Sequence, residues 1–180
     1  SDSAATGACG GPGASRHGRT RVNLPSILLW GFAGTVVLTT LTASLHRLGL
    51  TRMSMPFILG TIITPDRDRA MLWGTLVHML NGWLFSSLYA LVFEALHRTG
   101  WWLGGLMGLA QGLFVLAVVM PLVPSAHPRM VSEYVGPSPN RRLQPPGFMA
   151  LNYGRRTPIV LLLAHVLFGG ILGSFYELVP

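Results

Sequence analysis

The sequence predicts an all-α integral membrane protein, a four-helix bundle built from two pseudo-symmetric two-helix halves. Two observations carry this expectation. Half of the 180 residues are apolar and only 11% are charged, against roughly 25% charged in soluble domains. The apolar residues gather into four runs, at 25–45, 71–96, 101–123 and 158–179, each of about the 20 residues that cross a hydrocarbon core roughly 30 Å thick. Together they form one transmembrane domain, 25–180.

Span one, 25–45, contains no ionisable residue. Span two, 71–96, follows Thr64-Pro65-Asp66, which reads as a helix start: Thr to cap, Pro for the first position, Asp for the positive end of the dipole. Span three, 101–123, is separated from span two by His97-Arg98-Thr99-Gly100. A link this short cannot cross the membrane, so spans two and three are expected to lie side by side. Span four, 158–179, begins after Thr157, repeating the Thr-Pro signal.

The connections differ in kind. Residues 1–24 are rich in Gly, Ala and Ser without an apolar core of the sort a cleavable signal needs, and read as a disordered tail. Residues 50–64 are apolar but too short to cross, and Pro56 and Gly60 interrupt them, which suits a segment lying in the interface. Residues 124–157 hold six prolines, five arginines and the aromatic stretch 147–153, and are expected to form a structured loop.

All thirteen basic residues are Arg. Four lie in the tail and the second connection and nine in the first and third, so positive-inside places the long loops in the cytoplasm and the termini outside, in what is expected to be a bacterial inner membrane. Charge confined to loops explains the basic pI. It argues against nucleic acid, whose recognition needs a basic face interleaved with aromatics. Cys9 stands alone, so neither an internal disulfide nor a zinc framework is available.

Span two and span four are alike when set from their histidines, HMLNGWLFSSLYALV at 78–92 against HVLFGGILGSFYELV at 165–179, with seven of fifteen positions identical. The shared residues include His78 with His165, Gly82 with Gly169, Ser87 with Ser174 and Tyr89 with Tyr176. Spans one and three match more weakly, through Gly31 and Gly34 against Gly105 and Gly108. Two halves of equal orientation imply an axis along the membrane normal, with both histidines at similar depth. On residues 56–89 and the HVLFG segment of span four, the chain resembles a family of small four-helix bacterial membrane proteins with no assigned activity. That resemblance implies the four-span fold and nothing about chemistry.

Helices in lipid associate through small residues and interhelical hydrogen bonds. Gly104, Gly108 and Gly112, Gly169 and Gly173, and Gly82 with Ser86 and Ala90 are the expected packing faces. Asn81, Gln111, Thr39 and Ser87 are the expected hydrogen-bonders. Trp101, Trp102, Tyr89 and Tyr176 fit an interfacial aromatic belt.

Ionisable residues inside the bilayer are functional candidates, and here they are His78 and His165. Three roles compete: axial ligands of a haem b, with Gly82 and Gly169 leaving room for the macrocycle; the lining of a pocket for a quinone or lipid; or packing alone, which is favoured over haem. Glu94 and Glu177 are expected at the solvated boundary. His46, His97 and His127 lie at span ends or in loops, and no metal cluster accompanies them. With no GxSxG, Walker loop, HExxH or paired intramembrane carboxylate, an enzyme is not expected. By elimination the sequence reads as an accessory or assembly subunit of a larger membrane complex, with respiratory or photosynthetic energy transduction as the setting. Its partners would be the bilayer and other membrane subunits.

Overall fold

In a computed structural model that describes residues 21–132 and 136–180, four helices are long and apolar enough to cross a membrane. They are α1 (Leu24–Arg47), α3 (Arg67–Leu96), α4 (Trp101–Ala126) and α5 (Thr157–Phe175), with a shorter α2 (Met55–Ile63) between the first two. The protein is an all-α four-helix membrane bundle. Most of the expected tail, 1–20, lies outside the described residues.

Helix ends follow local chemistry. Asn23 caps α1 by accepting from the Ser26 N–H at 3.1 Å, and Pro25 follows in the first turn. For α3 the expected cap is displaced. Asp66, not Thr64, accepts the Arg69 N–H at 2.9 Å, and Thr64 instead takes the Asp66 N–H, so the helix starts at Arg67, four residues before the apolar run. α5 stops at Phe175 rather than 179. Residues after it leave the helix because their groups are claimed by the opposite end of the chain: Tyr176 accepts from the Asn23 N–H, and the Glu177 carbonyl accepts from the Asn23 amide.

α4 contains a π-turn at Val115–Val119, where the Met120 N–H reaches back five residues to the Val115 carbonyl. Pro121 sits just beyond it. Proline cannot donate to the carbonyl four residues back and its ring crowds that carbonyl, and widening the preceding turn relieves the crowding.

Packing is by backbone contact at glycine. A Cβ at Gly104 would overlap the Gly169 carbonyl, one at Gly108 the His165 carbonyl, and one at Gly173 the Gly100 carbonyl, so α4 and α5 meet main chain to main chain. Gly112 lies further along the same contact, against Leu162 and the His165 side chain. Gly82 of α3 is filled by Thr35 of α1, and Gly31 of α1 faces Ser86 of α3. The duplicated glycine, Gly82 or Gly169, thus closes each half. α1 also packs on α5, with Gly34 against Phe168. α2 folds back along the start of α3, with Gly60 against Ala70 and Gly74 against Pro56.

The expected pairing of spans two and three is corrected here. α4 packs along α5, not α3. The hairpin joins α3 and α4 at one end, where the Gly100 N–H bonds the Gly173 carbonyl, but the glycine face of α4 is consumed by α5 and α3 offers it no matching backbone. The side chains of Tyr89 and Gln111 connect the two helices instead.

One core cluster gathers Ile27, Leu38, Tyr89, Phe93, Ala164, Phe168, Leu172 and Tyr176. Tyr89 and Tyr176 are therefore interior residues, not belt residues: Tyr89 meets Phe168 edge-on at 5.8 Å, and Phe93 lies 5.7 Å from Tyr176. Trp101 and Trp102, at 72% and 54% exposed, stand outside. Glu94 is 5% exposed, against the expectation of a solvated carboxylate. It accepts from the Tyr176 hydroxyl and the Val179 N–H, fastening the C-terminal segment.

A second cluster, at the loop end, joins Met53, Ile58, Val115, Leu116, Met120, Met130, Ala150 and Leu161. Here the described residues of the third connection gather around Met130, paired with Leu143, and a 3-10 turn at Phe148–Tyr153. The Arg52 N–H bonds the Tyr153 carbonyl at 2.9 Å and Thr51 meets Thr157 at 2.8 Å, so the first and third connections form one layer.

Replacing Gly108 with Leu should part α4 from α5, because the obstructing atoms are backbone and cannot rotate away. Overpacking of this kind costs typically 1–3 kcal/mol, occasionally more. A detergent-unfolding titration should show at least that loss, whereas Gly136→Leu, in open space, should cost under about 0.5 kcal/mol.

Candidate functional site in the membrane

The open side of the bundle, between α3 and α4, holds a cavity of about 280 Å³. α1 and α5 form its floor and α2 covers one end, with Ile58, Leu59 and Ile62 in its wall. The polar side chains that reach it are His78 and Asn81 from α3, Gln111 from α4, His165 from α5, and Thr35 and Thr42 from α1. Both sequence-derived histidines therefore meet at one space. They arrive from different faces of the fold, since α3 leans on α1 and α5 is locked to α4.

Hydrogen bonding sets the tautomer of each ring. The Thr39 hydroxyl donates to the Thr35 carbonyl at 2.7 Å, so at its 3.0 Å contact with His78 it is the acceptor and Nδ1 the donor. Nδ1 of His165 lies 2.8 Å from the Leu161 carbonyl, which can only accept. A neutral imidazole that donates at Nδ1 carries its lone pair on Nε2. Two acceptor nitrogens thus belong to cavity-lining rings.

The amides supply the complementary groups. Tyr89 donates its hydroxyl to Gln111 Oε1 at 2.8 Å, which leaves the Gln111 NH₂ group as a donor. Asn81 makes no side-chain hydrogen bond among the described residues and lines the same cavity. The π-turn of α4 places Val115 and Val119 beside these groups; π-turns of this type are frequent at functional sites. Ser87, in contrast, is turned back onto the Trp83 carbonyl of its own helix.

A haem does not fit this geometry. Gly82 and Gly169, which would have to leave space for the macrocycle, are occupied by Thr35 and by the Gly104 backbone. The cavity itself lies just under the roughly 300–1,000 Å³ of ordinary small-molecule sites. It is about twice the size of a protein cavity that takes benzene, on the order of 150 Å³. One ring with its substituents is the scale it accepts.

His127 is the residue that sequence reasoning passed over. It is 1% exposed, with Nε2 3.0 Å from the Ile58 carbonyl and 3.2 Å from Thr61, and Nδ1 accepting the Arg129 N–H at 3.1 Å. Burial pulls it below the usual histidine range, and the neutral ring pins α2 to the end of α4. The Arg129 guanidinium caps α2, donating to the Thr61 and Ile62 carbonyls. The available signal was the pair His127 and Arg129 following two prolines, too weak to distinguish from an ordinary loop. Among the described residues no group of three or more His, Cys, Asp or Glu is placed to hold a metal.

Compared with protein-family models, curated proteins and solved structures, the chain matches none significantly.

Gln111→Leu should destabilise the bundle by about 1–3 kcal/mol, because it strands the Tyr89 hydroxyl in the interior. In a Tyr89→Phe background the same change should cost less. A double-mutant cycle by detergent unfolding should give a coupling of about 0.6 kcal/mol, the average for hydrogen bonds between membrane helices, and no more than about 1.7 kcal/mol.

Proposed function

We propose that this chain is a membrane-embedded binding protein for a lipid-soluble ring molecule carrying hydrogen-bonding oxygens, the quinone and quinol class. The observation that carries the reading is the convergence of two imidazole acceptors, His78 and His165, with the amides of Asn81 and Gln111 on one cavity walled, apart from Thr35, Thr42 and Gly82, by Leu, Ile, Val, Met and Phe. A quinol hydroxyl matches an imidazole Nε2, and a quinone carbonyl matches an amide N–H. Such a site binds either redox form without further groups. Few, well-placed polar atoms in an apolar cavity are the usual form of a small-molecule site.

The accessory or assembly role is the second reading. It draws on outer surfaces suited to a partner, but the glycines face inward and the outer face of α3 is a row of exposed leucines, Leu72, Leu76, Leu80, Leu84 and Leu88. Such a row suits lipid chains directly. The setting proposed is the inner membrane, with the Arg-rich loop end in the cytoplasm, supported by the distribution of arginine.

Binding of a short-chain ubiquinone or menaquinone analogue to the full chain in neutral detergent, read by tryptophan fluorescence, tests the proposal. Saturable binding should weaken at least tenfold on His165→Phe and on Asn81→Leu, while Leu84→Ala on the outer face leaves it unchanged. Non-saturable partitioning, equal in all these variants, would contradict the reading.

A further inference from the structure

A second recess, of about 650 Å³, lies at the loop end of the bundle among α1, the start of α2, the start of α3 and the third connection. Its charged lining is one-signed. Arg47, Arg52, Arg67 and Arg142 surround it with His46, and among the described residues no carboxylate lines it; Asp66, the neighbour of Arg67, turns its side chain to the Arg69 N–H. Arg52 spends one N–H on the Asn152 carbonyl. Arg47, Arg67 and Arg142 make no side-chain hydrogen bond or ion pair among the described residues. Four guanidiniums around one recess repel one another, and an anion would remove that cost.

Much of the remaining lining is apolar: Met53, Met55, Phe57, Ile58 and Met71. Its depth also follows from helix length. α3 has 30 residues, about 45 Å at 1.5 Å each, some 15 Å more than the hydrocarbon core. Since the exposed Trp101 and Trp102 mark the far interface, the excess falls on about the first ten residues, with Arg67, Met71 and Thr75, which stand at headgroup level.

We propose that this recess binds the phosphate headgroup of an anionic bilayer lipid, with the start of an acyl chain against the methionine and phenylalanine wall. The arginines supply planar, paired donors for phosphate oxygens, as basic pockets between transmembrane helices do for anionic headgroups. The apolar wall distinguishes a lipid from free phosphate. Thr42, Met55 and Ile58 line both this recess and the inner cavity, so a lipid seated here would lie at that cavity's edge. The proposal stands independently of the quinone reading.

Native mass spectrometry of the full chain in neutral detergent, titrated with dioleoylphosphatidylglycerol, dioleoylphosphatidylcholine and inorganic phosphate, tests it. Phosphatidylglycerol should bind at least tenfold more tightly than phosphatidylcholine. The variant Arg67→Gln with Arg142→Gln, which removes no hydrogen bond from the fold, should abolish that preference while its unfolding midpoint without lipid does not fall and its quinone binding stays unchanged. Equal binding of the two lipids, a preference that survives the double substitution, or full displacement of phosphatidylglycerol by millimolar phosphate would each overturn the proposal. The last outcome would assign the recess to free phosphate.

Discussion

Close approach of backbones at glycine is the constraint on which this bundle depends. Lipid chains are as apolar as leucine, so burying leucine against leucine gains little within a membrane, and association has to come from contact and hydrogen bonding. Gly104, Gly108, Gly169 and Gly173 bring α4 onto α5, and Gly82 and Gly31 bring α3 onto α1. The glycines of α4 all face α5. Once α4 has spent its glycines on α5, nothing comparable remains for α3.

The cavity is the consequence. If the two halves related by the His78 and His165 segments were strictly symmetric, the contact of α1 with α5 would be repeated between α4 and α3. Gly34 makes the first contact close, against Phe168. Its counterpart in the repeat, Gly108, is turned onto the His165 backbone instead. The second contact is therefore opened and spanned by the Tyr89 to Gln111 hydrogen bond. α2 closes the space from one end, held by His127 and Arg129, and the π-turn before Pro121 shapes the α4 wall. A broken symmetry thus turns two repeated histidines into one site.

Much of this was legible in sequence because the cause was local. A span is visible as twenty apolar residues, and the glycines at 104, 108 and 112 are visible as one face of a helix. The paired histidines were visible through the repeat. What stayed hidden depended on distant partners. Glu94 looks like a boundary carboxylate until the C-terminal segment folds over it. His127 looks like a loop residue until α2 packs beneath it. The neighbour of α4 could not be read from the short hairpin, since chain connection fixes where two helices begin and not which faces they bury.

The separation of α3 from α4, with α4 held to α5, is measurable by oxidative cross-linking of paired cysteines in a Cys9→Ser background. A disulfide needs Cα atoms usually 4.4–6.8 Å apart. A Cβ at position 105 lies in ordinary contact with Val166, 3.7 Å from its Cγ1, whereas positions 81 and 119 stand on opposite walls of the cavity. The account predicts rapid cross-linking of Gly105→Cys with Val166→Cys and none of Asn81→Cys with Val119→Cys. Efficient cross-linking of 81 with 119, at the expense of 105 with 166, would show α4 packed on α3 and would contradict it.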